Sequence, residues 1–124
     1  MIFICKVAFS EDTDWKEGTC GTCFCQQGKD KYETTEYMVN CSSRSLRSIP
    51  KNLPKKIHIL DLSDNNLRST ESLKGLERYG DYLYGLSIAY NQISRIDPSI
   101  FSTVRNLEEL NLSGNILDSV DGQI

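Results

Sequence analysis

From Ile57 onward the apolar positions of the chain fall in a fixed frame. Leu107, Leu110, Leu112 and Leu117 hold this frame, with Asn115 set between the last two. The same frame appears as Ile57, Leu60, Leu62 and Leu67 around Asn65, and as Leu83, Leu86, Ile88 and Ile93 around Asn91. Starts at 57, 83 and 107 give spacings of 26 and 24 residues. One match would be coincidence, but three in register define a repeat. Two leucines alternating around one residue predict a short strand with the leucines turned inward and the residue between them outward. An asparagine at the ninth position can donate and accept through its amide where the chain turns away from that strand. An unpaired buried backbone group costs roughly 1–3 kcal/mol, so apolar residues should fit poorly at Asn65, Asn91 and Asn115.

The frame also continues backwards. Val39 takes the fourth position, Cys41 the sixth, Arg44 the place of the asparagine and Leu46 the eleventh, so 36–46 reads as a degenerate opening repeat. Between the strands the return legs carry their own apolar positions. Leu73, Leu76 and Tyr79, three apart, predict a helical turn on the far side of the first repeat. Ile96, Ile100, Phe101 and Val104 should fill the second, tighter leg.

The string L-x-x-L-x-L-x-x-N-x-L that these residues spell resembles the leucine-rich repeat, over residues 20–124. The resemblance implies an α/β-type solenoid, a right-handed superhelix with short parallel strands on its concave face. Its convex side would be irregular, 3-10 or helical, and a disulfide-bonded cap would close the N-terminal end. Phe101 matches the aromatic position of the 24-residue subclass found in secreted and receptor ectodomains. Toll-like and Kekkon-like ectodomains, or the small leucine-rich proteoglycans, are the implied kind. A solenoid's first coil has no neighbour on one side, so a polar, cross-linked cover has a physical task there.

Composition narrows the compartment. The chain has 124 residues, 39% of them hydrophobic, and a net charge of −3, which speaks against nucleic acid or an anionic membrane as partner. No run of 18 apolar residues spans a bilayer. Five cysteines stand at 5, 20, 23, 25 and 41, and such a cluster belongs in an oxidising compartment, outside the cell. Cys20, Cys23, Cys25 and Cys41 resemble the cysteine-rich N-terminal cap of extracellular leucine-rich repeat proteins. Carried over, that family's pairing gives Cys20–Cys25 and Cys23–Cys41. The first gap is one residue short and the third, of fifteen residues, is long. Trp15 and the cysteines after it also resemble the middle of a von Willebrand factor type C module, with Cys5 as its upstream cysteine. Four thiolates could instead hold zinc, although three sulfurs within six residues suit a disulfide knot better.

The expected layout is an N-terminal segment over 1–18, a cysteine-rich cap over 19–54 and repeats at 57–82, 83–106 and 107–124. Met1 to Phe9 is apolar apart from Cys5 and Lys6 and reads as the remnant of a secretory signal. Aligning the third repeat on the second matches Val120 with Ile96 and Ile124 with Ile100, so the sequence ends one residue before the counterpart of Phe101. That predicts a piece of a longer protein. The segment 45–54 leaves the cap, with Pro50 and Pro54 holding it extended. Arg44, Arg47, Lys51, Lys55 and Lys56 form a basic spot beside it, expected to be solvated surface.

Function is expected on the concave face. The residues placed outward are Tyr37, Met38, Asn40, His58, Ile59, Asp61, Asp64, Tyr84, Ser87, Tyr90, Glu108, Glu109 and Asn111. Met38, Ile59, Asp61, Asp64, Tyr84, Ser87, Tyr90, Glu109 and Asn111 are the candidate ligand contacts. Tyrosine and methionine are common at interface hot spots, and the acids suit a protein ligand with a basic surface. A homodimer through the repeats is a further option. Two sequons occur, Asn40-Cys41-Ser42 and Asn111-Leu112-Ser113, and Asn111 is the candidate glycan site. His58, the only histidine, has no nucleophile and orienting group around it and reads as a plain surface residue. Neither a metal nor a cofactor is implied. The expected function is non-catalytic recognition in a receptor or adhesion protein, with a secreted matrix protein and an intracellular enzyme inhibitor as alternatives.

Overall fold

A computed structural model describes residues 15–120. Cys5, the signal remnant and Ile124 lie outside the described residues. The chain opens with two antiparallel pairings, β1 (Gly18–Cys20) on β2 (Cys23–Lys29) and β2 on β3 (Thr35–Asn40). From β3 onward the pairing is parallel, through β4 (Ile59–Asp61) and β5 (Gly85–Ser87). A short outer strand, β6 (Arg95–Ile96), then precedes β7 (Glu109–Asn111), which lies parallel beside β5. The result is one six-stranded sheet in the order β1-β2-β3-β4-β5-β7. Val39, Leu60, Leu86 and Leu110 pair in successive rungs, so each coil lays its central leucine or valine on the next.

The outer legs are not α-helical among the described residues. They use 3-10 turns at Thr70–Leu73, Leu76–Tyr79 and Pro98–Phe101, and β6 pairs in parallel with β8 (Ser119–Val120). Apolar spacing of three suits a 3-10 turn, whose side chains eclipse at that interval. Leu73, Leu76 and Tyr79 are accordingly fully buried. The Tyr79 hydroxyl donates to the Pro50 carbonyl at 2.6 Å, tying the outer leg of the first coil to the segment leaving the cap. Ile96 and Val104 are buried in the next leg, whereas Ile100 and Phe101 are half-buried against the core. Gly80 explains how close the legs come, because a Cβ there would stand 2.2 Å from the Thr103 carbonyl oxygen.

Each coil turns off its strand in the same way. The ninth-position asparagines thread between coils: Asn65 Nδ2 donates to the carbonyls of Cys41, Leu62 and Ser63, and its Oδ1 accepts from the Arg44 and Leu46 amides. Asn91 and Asn115 repeat the pattern one and two coils on. Just before the ninth position, held by Arg44 in the opening coil and by asparagine in the others, Ser43, Asp64, Tyr90 and Gly114 all have positive φ, between 54° and 74°. Only glycine meets that conformation without cost. At Gly114 a second reason applies, since a Cβ would enter the Tyr90 ring, 2.3 Å from Cδ1.

Cys20 is bonded to Cys25 and Cys23 to Cys41, with Cα atoms 5.9 and 4.6 Å apart. The first bridge joins β1 to β2 and the second joins β2 to the chain just beyond β3. The hairpin sheet therefore becomes a fixed lid on the first rung. Cys23, Cys25 and Cys41 lie in the same apolar cluster as Val39, Leu60 and Leu86.

Candidate functional site

The outward strand positions form two rows. Met38, Ile59, Gly85 and Glu109 stand in register in one, and Asn40, Asp61, Ser87 and Asn111 in the other. Gly85 leaves a dip in the first row, a groove of about 320 Å³ lined by Ile59, Asp61, Ser87, Glu109 and Asn111. The second row is partly occupied with its own turns. Asn40, Asp61 and Asn111 each accept the amide of the residue two positions on, at 2.8, 2.9 and 3.0 Å, and the Ser87 hydroxyl stands 3.4 Å from the Ala89 amide. These are Asx and serine turns, which close the bend after the strand. Asp64 and Tyr90 sit beyond the strands, on the rim, and Asp64 accepts from the Ser43 hydroxyl at 2.7 Å. Asn111 and Asn40 each also accept the hydroxyl of the serine in their sequon, at 2.7 Å.

Two expected placements are corrected. Tyr37 is buried, 7% exposed, because strand alternation sets 37, 39 and 41 on one face and that face is the core. Its ring packs against Trp15 at 4.7 Å and stacks on His58 at 5.4 Å. His58 continues the row to Tyr84, at 5.6 Å, and is no plain surface residue. Its Nδ1 accepts the Tyr37 amide at 2.9 Å, and Lys56 Nζ lies 5.4 Å from both the Tyr37 and Tyr82 rings. The end of the row is polar, since the Tyr84 hydroxyl donates to the Glu36 carboxylate.

This arrangement makes His58 sensitive to pH. Burial, then the Lys56 ammonium, holds the imidazole below its usual value, while Asp30 pulls the other way. An Nδ1 that accepts a hydrogen bond belongs to the neutral ring. The unfolded chain therefore takes up the proton first as pH falls below about 6.5, so His58 adds stability above that value that is lost below it. The urea midpoint is expected to fall between about pH 7.5 and about pH 5.5, and to fall less in His58→Gln. Equal falls in both proteins would contradict the assignment.

A second groove, of about 560 Å³, opens at the strands' entry rim. The hairpin tip between β2 and β3 supplies Lys29, Asp30, Lys31 and Tyr32, and the coils supply Tyr84, Glu108 and Glu109. Tyr32 is 74% exposed. Glu108 and Glu109 are exposed and make no ion pair among the described residues. Glu109 also lines the first groove, so the two form one surface. Nothing in the repeat frame signals the hairpin's part in it.

Parallel rungs joined by an asparagine ladder and closed by a disulfide lid define a capped solenoid of recognition type. The chain belongs to the leucine-rich repeat proteins, and to the extracellular ones. Two sequence models of the leucine-rich repeat match it, over residues 56–78 and 81–123. Tsukushi-A of Xenopus laevis is 40% identical over 83 residues, 66% of this chain and 23% of that protein. Human oligodendrocyte-myelin glycoprotein is 35% identical over 78 residues, 63% of this chain and 17% of that protein. Leucine-rich repeat-containing G-protein coupled receptor 5 of Xenopus tropicalis is 32% identical over 103 residues, 82% of this chain and 11% of that protein. The chain thus spans about a quarter of the length of the Tsukushi proteins it matches. These likenesses and the two disulfides place it outside the cell, as an extracellular protein-binding module. No helix among the described residues is long and apolar enough to cross a membrane.

Proposed function

We propose that this module takes a protein ligand with a basic surface on its concave sheet and in the adjoining rim groove, without catalysis. The observation that carries the reading is the continuity of the two grooves through Glu109, with Glu108 beside it and neither acid neutralised by a described neighbour. Met38 and Ile59 pair side by side and supply apolar contact. Tyr84 and Tyr90 supply aromatic surface, and Asp61, Asp64, Ser87 and Asn111 a polar border whose acceptors are already tied to the turns. A glycan on Asn111 would cover the far end of the face. Two copies meeting through the repeats would cover the same surface.

The proposed layout keeps 1–18 as a leading segment, 19–54 as the cap and 55–124 as the repeats. The coil is read as right-handed, the hand that parallel strand-crossover-strand connections take almost without exception. A role in a receptor or adhesion protein is favoured by one relative that is by name a receptor.

The test is a screen of secreted and cell-surface ectodomains with the chain and with Glu108→Lys/Glu109→Lys. Partners captured by the native chain are expected to bind the variant about tenfold more weakly or worse, chiefly through slower association. Asp61 and Asp64 are poorer targets, because Asp61 also holds its own turn and Asp64 the Ser43 hydroxyl of the coil before. Captured partners that bind both proteins equally would overturn the reading.

A further inference from the structure

A different surface of the molecule has the opposite charge. Although the chain is net acidic, residues 37–60 contain Arg44, Arg47, Lys51, Lys55 and Lys56 and no aspartate or glutamate. In the structure the segment leaving the cap borders three grooves, each sharing a lining residue with the next. The first is lined by Lys16, Thr19 and Asn52, the second by Asn52, Lys51 and Arg47, and the third by Arg47, Arg68 and Ser72. Asn52 joins the first to the second and Arg47 the second to the third. No carboxylate lines any of them. Lys16, Arg47, Lys51 and Arg68 are all exposed, and none makes an ion pair among the described residues.

Four cations with no carboxylate among them give the furrow a positive potential that attracts anions. A single small anion would be held weakly by such exposed charges. A chain of anions gains at each cation in turn, because every contact after the first is intramolecular. The string of shared grooves has the form of a track, which suits a linear polyanion better than a planar bilayer. Outside the cell, the abundant linear polyanions are sulfated polysaccharides, and Asn66, Ser72, Thr19 and Asn52 beside the cations can bond sugar hydroxyls. We propose that this furrow binds a sulfated polysaccharide segment. None of its lining residues belongs to β3, β4, β5 or β7, so the concave face stays open while it is filled.

The test is surface plasmon resonance on immobilised heparin with the full chain. Native protein is expected to bind in a salt-dependent way, and desulfated heparin to bind poorly. Arg47→Ser/Arg68→Ser and Lys16→Ser/Lys51→Ser should each bind roughly tenfold more weakly, as expected when two polyanion contacts and their counterion release are lost. Lys74→Ser/Arg105→Ser removes the same charge elsewhere and should bind as the native chain does. Glu108→Lys/Glu109→Lys should keep heparin binding, which separates this site from the concave face. Four outcomes would overturn the proposal: no binding of native chain at physiological salt, undiminished binding by both furrow variants, equal loss in the Lys74 and Arg105 variant, or preference for phosphatidylserine vesicles or polyuridylate over heparin.

Discussion

Replacing Asn91 by alanine is expected to cost the domain about 2–4 kcal/mol, a large part of the stability a small domain possesses. The side chain is 5% exposed and makes four buried contacts. Its Oδ1 accepts the Leu67 amide at 2.9 Å, and its Nδ2 donates to the carbonyls of Leu62, Ile88 and Ala89 at 3.0–3.1 Å. Leu67 and Leu62 belong to the coil before, so one amide group satisfies backbone on both sides of a junction. Alanine leaves the Leu67 amide without its acceptor, at roughly 1–3 kcal/mol, takes from the Leu62 carbonyl one of two donors while Asn65 keeps the other, and opens a small void besides. Aspartate keeps the acceptor but loses the donors and adds a buried charge, so it should be no better. Asn106→Ala is the comparison, since Asn106 Nδ2 donates only to the exposed Asp81 carbonyl and its loss should cost less than about 1 kcal/mol. Urea denaturation measures both, and similar midpoints would contradict the ladder.

The second large effect is expected at the lid. Cys23→Ser/Cys41→Ser opens a bridge spanning 18 residues, and chain entropy alone gives it about 3 kcal/mol. Cys20→Ser/Cys25→Ser opens a span of 5, worth about 2 kcal/mol on the same model. The difference should be larger than chain entropy suggests. The Cys23–Cys41 bridge pins β2 to the chain leaving β3, where Val39 begins the leucine stack. The Cys20–Cys25 bridge only staples a hairpin whose ladder already holds it. Thermal unfolding of the two double variants is expected to show the Cys23 and Cys41 variant melting lower. The reverse order would mean that the lid is secured through β1.

The repeated frame was legible because its physics is periodic. Leu60, Leu86 and Leu110 must face a common core, and the asparagines must meet backbone groups wherever a strand ends, so both recur at fixed spacing. The left-handed turn before the asparagine was harder to see. Gly114 advertises it, but Ser43, Asp64 and Tyr90 adopt it against their own preference because the coil below dictates the bend. The turn-closing part of Asn40, Asp61, Ser87 and Asn111 was open to view, since each is a small acceptor just after the strand. Outward position alone instead suggested ligand contact.

Tyr37 and His58 depart from the expected placement for a different reason. The lid strand is longer than the coil strands, β3 running three residues ahead of its parallel pairing. That overhang gives the second position of the opening coils a wall to pack against. Nothing in a repeat frame signals it, and so from sequence the aromatic row looks like surface. The same overhang carries the hairpin tip over the rim and forms half of the larger groove.

All of this depends on coils that lie flat on one another in a single register. Methyl NMR on a leucine-labelled sample tests it most directly. Cross-relaxation is expected between Leu60 and Leu86 and between Leu86 and Leu110, and none between Leu60 and Leu110, two rungs apart. A spectrum lacking the two neighbour contacts, or showing Leu60 against Leu110, would contradict the stack and the concave face built upon it.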